Sequence, residues 1–185
     1  VLKKPDINKG IVIFNQMLDW LGVEKTDSTK DTAKRMSKMY VEEFCSGMYK
    51  RAPVLKTFES GTGMVCVTNI EFTSLCEHHF LPVIGKCGIV YLSDDRVVGL
   101  SKLSRITKWV CSRPGLQEHM TEEIAVYIMK YLKPKGVYVA VTAEHLCMTL
   151  RGTKSRGSKT NTARVLGEID KEEAIQLLQT NKFFD

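Results

Sequence analysis

A chain of 185 residues has room for one domain with its own core and appended helices, and not for two large domains. With 43% hydrophobic and 26% charged residues it has the balance of an ordinary globular protein, which sets aside disordered and fibrous classes. The net charge of +6 favours anionic partners, whether nucleic acid, nucleotide or acidic protein, and does not choose among them.

Ile7, Ile11, Phe14, Leu18 and Leu21 recur at steps of four, three, four and three, the spacing of one buried helical face, and Gly22 supplies a stop. A second helix is expected over residues 32–46, with Met36, Tyr40 and Phe44 on one face and Gly47 ending it. Residues 51–63, with Pro53 and two glycines, carry no helical period and read as a loop. β-Branched content rises over residues 64–72 and again over 84–92, which predicts two antiparallel strands joined through residues 76–82. Leu100, Leu103, Ile106 and Val110 follow helical spacing. After the break at Arg113-Pro114-Gly115, so do Leu116, Met120, Ile124 and Ile128. Pro134 and Gly136 end that helix, residues 137–141 read as a strand, and a further strand is expected at 145–150 or at 160–165. Asp170 followed by Glu173 suits a helix N-terminus, so a short helix should close the chain. No internal repeat or long linker interrupts this order.

The longest apolar stretches, residues 11–14 and 137–141 among them, fall far below the roughly 20 residues that a membrane span requires, and no signal-peptide pattern opens the sequence. The cytosol is the expected compartment. Six cysteines in a chain of this composition point to free thiols or metal thiolates, not to a secreted disulfide framework. Two clusters stand out. Cys76-Glu77-His78-His79 sets a thiolate and an imidazole three residues apart, where a tight turn can aim both at one ion, and Glu144-His145-Leu146-Cys147 offers a second pair. If 145–147 is extended, its period of two places His145 and Cys147 on one face. Four protein ligands would make a closed, structural zinc site; three would leave a position for water, as catalysis needs. Between Glu144 and Glu168 there is no acid, while Arg151, Lys154, Arg156, Lys159 and Arg164 all fall inside, a segment suited to concentrated negative charge or open solvent.

Four ordered motifs then carry a resemblance: Thr73-Ser74-Leu75-Cys76-Glu77-His78-His79-Phe80, Gly99-Leu100-Ser101-Lys102-Leu103-Ser104-Arg105, Arg113-Pro114-Gly115-Leu116-Gln117-Glu118, and His145-Leu146-Cys147 with Arg151-Gly152. Over residues 32–167 the chain resembles the GTP cyclohydrolase I family. The resemblance implies an enzyme that opens the imidazole ring of GTP, releases formate and rebuilds the product as dihydroneopterin triphosphate. It implies Zn2+ held by Cys76, His79 and Cys147 with a fourth position for water, His78 as proton donor to the imidazole ring, and His145 as a second acid/base group. Ser101 is expected against the ribose. Glu118 would read guanine by accepting from its N1 and N2 donors, with Gln117 and Leu100 also at the substrate. Lys102, Arg105, Arg151, Lys38 and Arg35 match the cations that bind the triphosphate.

The same resemblance implies an α+β architecture, the tunnelling fold: a four-stranded antiparallel sheet with two helices on one face, preceded by N-terminal helices. Residues 1–60 would form the helical segment and 61–185 the catalytic domain. Copies would join edge to edge into a ring-forming homo-oligomer, a decamer of two stacked rings with active sites between subunits, Lys38 serving a neighbour's site. Ala33, Ser93, Gly115 and His119 depart from the family pattern and remove no proposed ligand. Two rival readings remain open. Other tunnelling-fold enzymes, the pyruvoyl-tetrahydropterin synthases and the nitrile reductases of deazaguanine metabolism, use three histidines on zinc or a cysteine nucleophile without metal. A basic nucleic-acid-binding protein with structural zinc would suit the charge and leave His78 and His145 without purpose.

Overall fold

The computed structural model of the chain describes residues 1–184; residue 185, the end of the expected catalytic segment, lies outside them. α1 (Ile7–Trp20) starts at Asp6, whose carboxylate accepts the Asn8 N–H, and ends where Gly22 turns left-handed at φ 71°. Its apolar stripe is half-buried at Ile7, Ile11, Phe14 and Leu18 and exposed at Leu21, not sealed as expected. Phe14 stacks on Tyr40 at 5.5 Å, while Val12, Ile13 and Trp20 on the other sides are exposed.

The second expected helix, residues 32–46, is broken. After α2 (Thr32–Lys38) comes a π-helical stretch, Met39–Phe44, across which the Cys45 N–H donates to the Tyr40 carbonyl at 2.8 Å, five residues back; α3 (Ser46–Tyr49) follows. Gly47 does not stop a helix. It lies inside α3, where its N–H donates to Ser112 O and a Cβ would strike the Trp109 carbonyl.

β1 (Thr57–Glu59) lies in the segment expected to be loop and pairs antiparallel with residues 96–98, a partner too distant in sequence for a local pattern to reveal. β2 (Gly63–Cys76) and β3 (Pro82–Ser93) form the expected antiparallel pair, longer at both ends. Their register shifts between Val67 and Ile70, where Asn69 adopts a left-handed φ of 55°. β4 (Arg96–Val98), α4 (Leu100–Cys111), β5 (Pro114–Gly115), α5 (Gln117–Leu132) and β6 (Gly136–His145) follow. β6 stops at His145. The extended reading of 145–147 therefore fails: α6 (Leu146–Thr149) is one helical turn, and the further strand is β7 (Thr160–Gly167).

Among the described residues the main sheet has five strands, ordered β5-β2-β3-β6-β7. β2, β3, β6 and β7 are the antiparallel strands that were expected, and the fifth is the two-residue β5, parallel to Leu75–Cys76. So short an addition leaves no periodic trace. α4 and α5 cover one face, setting Leu103, Ile106, Val110, Ile124 and Ile128 against strand residues such as Ile89, Tyr91 and Val139. Leu100, expected on that buried face, is exposed instead. The opposite face takes α7 (Lys171–Thr180), whose Ala174 and Leu178, with Phe183, seal Val90, Tyr138 and Ala140. The alternation of strand side chains thus fills two separate cores. No helix among the described residues is long and apolar enough to cross a membrane.

Candidate functional site

The site is built where β2 ends. Cys76 closes that strand, and the turn after it is pinned twice: the Cys76 N–H donates to Leu81 O at 2.9 Å and the Phe80 N–H donates to Cys76 O at 2.8 Å. Phe80 is left-handed, φ 53°, a conformation that costs energy for a bulky residue and persists because the hairpin holds it. The turn folds His78 and His79 back over the strand end, so that Cys76 Sγ lies 3.8 Å from His78 Nδ1 and 3.7 Å from His79 Nδ1. β5 steadies Cys76 from the side through its parallel pairing, and Ser74 Oγ donates to Arg113 O at 2.9 Å.

Cys147 arrives from α6. The donor atoms of Cys76, His79 and Cys147 all lie within 4.8 Å of one another. A tetrahedral ion with ordinary Zn–S and Zn–N bonds holds its sulfur and nitrogen ligands about 3.6 Å apart, so the Cys76–His79 spacing already matches and Cys147 needs only a small adjustment. Two thiolates and an imidazole are a borderline-soft donor set, which suits zinc.

Burial by itself would push the Cys76 thiol up, but hydrogen bonds from His79 and His78 and from their backbone outweigh it and bring the thiol down to about 6. Cys147 goes the other way, raised by burial and by the neighbouring Cys76 sulfur, with the Arg151 guanidinium opposing. Burial lowers the His145 imidazole below its ordinary value, against the Glu118 carboxylate, which favours the charged ring.

A cavity of about 270 Å3 gathers Cys76, His78, His79, Gln117, Glu118, His145 and Cys147, with Leu116, Met148 and Thr160 among its walls. Ser101, Leu100, Lys102 and Arg105 lie instead on α4, and Arg35 and Lys38 in the last turn of α2, none of them lining this cavity. Arg151 lies just past α6, exposed, and near enough to act on Cys147. A larger cleft, about 860 Å3, lies elsewhere; Thr73, Glu144 and Lys159 from the sequence motifs line it, but none of the expected metal-ligating, catalytic or substrate-binding residues does.

Gln117, expected at the substrate, is 2% exposed and its amide is engaged inside the protein. Nε2 lies 3.2 Å from Val141 O, 3.0 Å from Thr160 O and 3.1 Å from Thr162 Oγ1, and Oε1 lies 2.8 Å from His145 Nε2. Thr121, Thr160 and Thr162 were not foreseen as part of the site; the run Thr160, Thr162, Arg164 on one face of β7 was the available signal. Arg113 stood in the third motif without a role. Its guanidinium lies 4.4 Å from the Trp109 ring centre while Nη1 meets Glu123 Oε1 at 3.2 Å, tying α4 to α5 beside the strand that supports Cys76.

The GTP cyclohydrolase I family model matches residues 12–182. "GTP cyclohydrolase 1" of Lysinibacillus sphaericus is 46% identical over 158 residues, covering 80% of this chain and 83% of that one. "GTP cyclohydrolase 1" of a Sulfurihydrogenibium species is 38% identical over 188 residues, covering 98% of both chains. Among solved structures, the apo form of the archaeosine synthase QueF-Like is similar at a TM-score of 0.44 and 11% identity, covering 61% of this chain and 100% of that one, a likeness too slight to support any conclusion.

Proposed function

The chain belongs to the GTP cyclohydrolase I family and is an enzyme of that class, and from this premise we propose that it hydrolyses the imidazole ring of GTP, releases formate and forms 7,8-dihydroneopterin triphosphate. The observation that carries the reading is the convergence of Cys76, His79 and Cys147 to within 4.8 Å in the cavity that also holds His78, His145 and Glu118.

Cys76, His79 and Cys147 would hold Zn2+, which supplies a Lewis acid with a position left for solvent, whose acidity it raises. His78, exposed beside Cys76, can deliver a proton to the purine imidazole ring, and so make its C8 electrophilic. His145, favoured neutral by burial, is suited to take a proton during ring opening. Glu118, at the cavity wall, presents a carboxylate that accepts from the guanine N1 and N2 donors, which adenine lacks.

Ser101, Leu100, Lys102, Arg105, Arg35 and Lys38 do not line the cavity of their own chain, and that separation supports an active site completed by neighbouring copies. In this reading the chain adopts the tunnelling fold and assembles into a ring-forming homo-oligomer, a decamer in the cytosol. α4 of one copy would bring Ser101 to the ribose, and the cations, with Arg151, would bind the triphosphate. Zinc-loaded protein incubated with GTP should release formate in step with pterin fluorescence. A fully metallated oligomer that releases none overturns the reading, and activity that survives dilution to monomers overturns the shared site.

A further inference from the structure

The hydrogen bonds around Gln117 have a direction. Val141 O and Thr160 O are carbonyl oxygens and can only accept, so the Gln117 nitrogen that faces them at 3.2 and 3.0 Å must be the amide NH2. This orients the amide without ambiguity and leaves Oε1 toward His145. Thr121 Oγ donates to the Gln117 main-chain carbonyl at 2.7 Å, which uses its one proton. The contact of 2.6 Å between Thr121 Oγ1 and Thr162 Oγ1 is therefore made by the Thr162 hydroxyl donating, and Thr162 is left to accept from Gln117 Nε2 at 3.1 Å. Every donor in the chain points one way. At its end stands an amide oxygen, acceptor only, 2.8 Å from His145 Nε2.

We propose that Gln117 is a positioning residue that fixes His145 in the Nε2–H tautomer, leaving Nδ1 as the ring's sole proton acceptor. Gln117 then serves the reaction through His145 and not by touching GTP, since its own polar atoms are occupied and its side chain is 2% exposed. The inference about catalysis rests on the acid/base reading of His145 given above; the tautomer itself does not. The threonines extend the control: Thr162 belongs to β7 and Thr121 to α5, so the orientation of the imidazole is set by the packing of three elements and not by the α6 turn beside it.

Magic-angle-spinning 15N NMR of the zinc-loaded protein with labelled histidine, at mildly alkaline pH, reads the tautomer directly, with the His145 signals assigned by their loss in His145→Asn. The expected result in the unaltered chain is a protonated Nε2 and a bare Nδ1. A protonated Nδ1, or comparable amounts of both forms, overturns the proposal whatever the activity. In Gln117→Met, which keeps length but has no acceptor oxygen, both tautomers should appear. Formate release at saturating GTP should fall by about 10- to 100-fold, as for other outer partners of catalytic groups, with KM for GTP within about twofold and zinc content unchanged. A KM that rises while kcat holds would restore Gln117 to direct substrate binding. If the unaltered protein shows the expected tautomer and releases no formate, the tautomer stands and the proposed activity falls.

Discussion

Two regions of one sheet treat cysteine in opposite ways. At the end of β2 and in α6, Cys76 and Cys147 stand at a cavity beside imidazoles; between β3 and α4, Cys87 and Cys111 are sealed at 0% exposure in the apolar core, with the Thr107 hydroxyl beside Cys87 and Arg113 near Cys111 as polar neighbours. Burial lifts the Cys87 thiol to about 12 and the Cys111 thiol well above its ordinary range, the latter helped by Cys87 itself. Burial pushes Cys76 up as well, yet hydrogen bonds from His79 and His78 bring it down to about 6. The contrast separates two effects that a cysteine count merges: desolvation makes a thiol inert, and donors aimed at the sulfur favour the thiolate, the form that can bind a metal.

The sharpest break of this contrast is Cys76→Ser. It should remove zinc from the purified protein and lower formate release by at least about a thousandfold, while urea unfolding changes far less. Zinc retained at one ion per chain with full turnover would mean that the open region does not hold the metal. In the sealed region the opposite loss is expected. Ile124→Ala empties space at a fully buried position of α5 and should cost about 2–5 kcal/mol in urea unfolding, with zinc content kept. If that variant loses its metal under folding conditions, the two regions are not separable.

Thiol chemistry tests the same division at smaller scale. In chelator-stripped protein at neutral pH, iodoacetamide should modify Cys76 at least about a hundredfold faster than Cys87 or Cys111, read by peptide mass mapping. The thiolate is the reactive form, and the Cys76 thiol sits at about 6, so its rate should be level above that pH and fall about tenfold per unit below it. A Cys76 profile centred near the ordinary thiol value of 9.0 would show that the histidine hydrogen bonds do not act on the sulfur.

The Cys-His-Cys group that could hold a metal was readable because Cys76 and His79 share one turn, and residue type at short spacing survives any error about secondary structure. Cys147 came from a motif whose predicted geometry was wrong: a helical turn, not strand alternation, delivers its sulfur. The hydrophobic periods of α4 and α5 named the core apart from Leu100, since one face of each helix packs on the sheet from Leu103 of α4 and Met120 of α5 onward. Where a feature depends on partners from several elements, sequence was silent. The Gln117 amide is held by Val141, Thr160 and Thr162, and β1 by Arg96–Val98, none of which any local pattern connects. The π-helical slip after Lys38 leaves no mark either, because its apolar spacing still resembles a regular helix.

The smallest effect should come from the lid of the sealed region. Asp170 caps α7 by accepting the Glu172 and Glu173 N–H groups at 2.9 and 3.0 Å, and α7 carries Ala174 and Leu178 onto Val90 and Tyr138. Asp170→Ala leaves both N–H groups to solvent and removes a negative charge from the helix N-terminus, a loss of about 1 kcal/mol. The apolar contacts that dock α7 are untouched, so the helix should stay in place and the melting temperature fall by a few degrees. Asp170 lies on the face of the sheet opposite α4 and α5 and outside the cavity, so metal content, KM and kcat at room temperature should not change. A fall in kcat that tracked the lost stability would instead tie the second core to the orientation of the cavity residues through β6, the strand that bears Tyr138 and Ala140 at one end and His145 at the other.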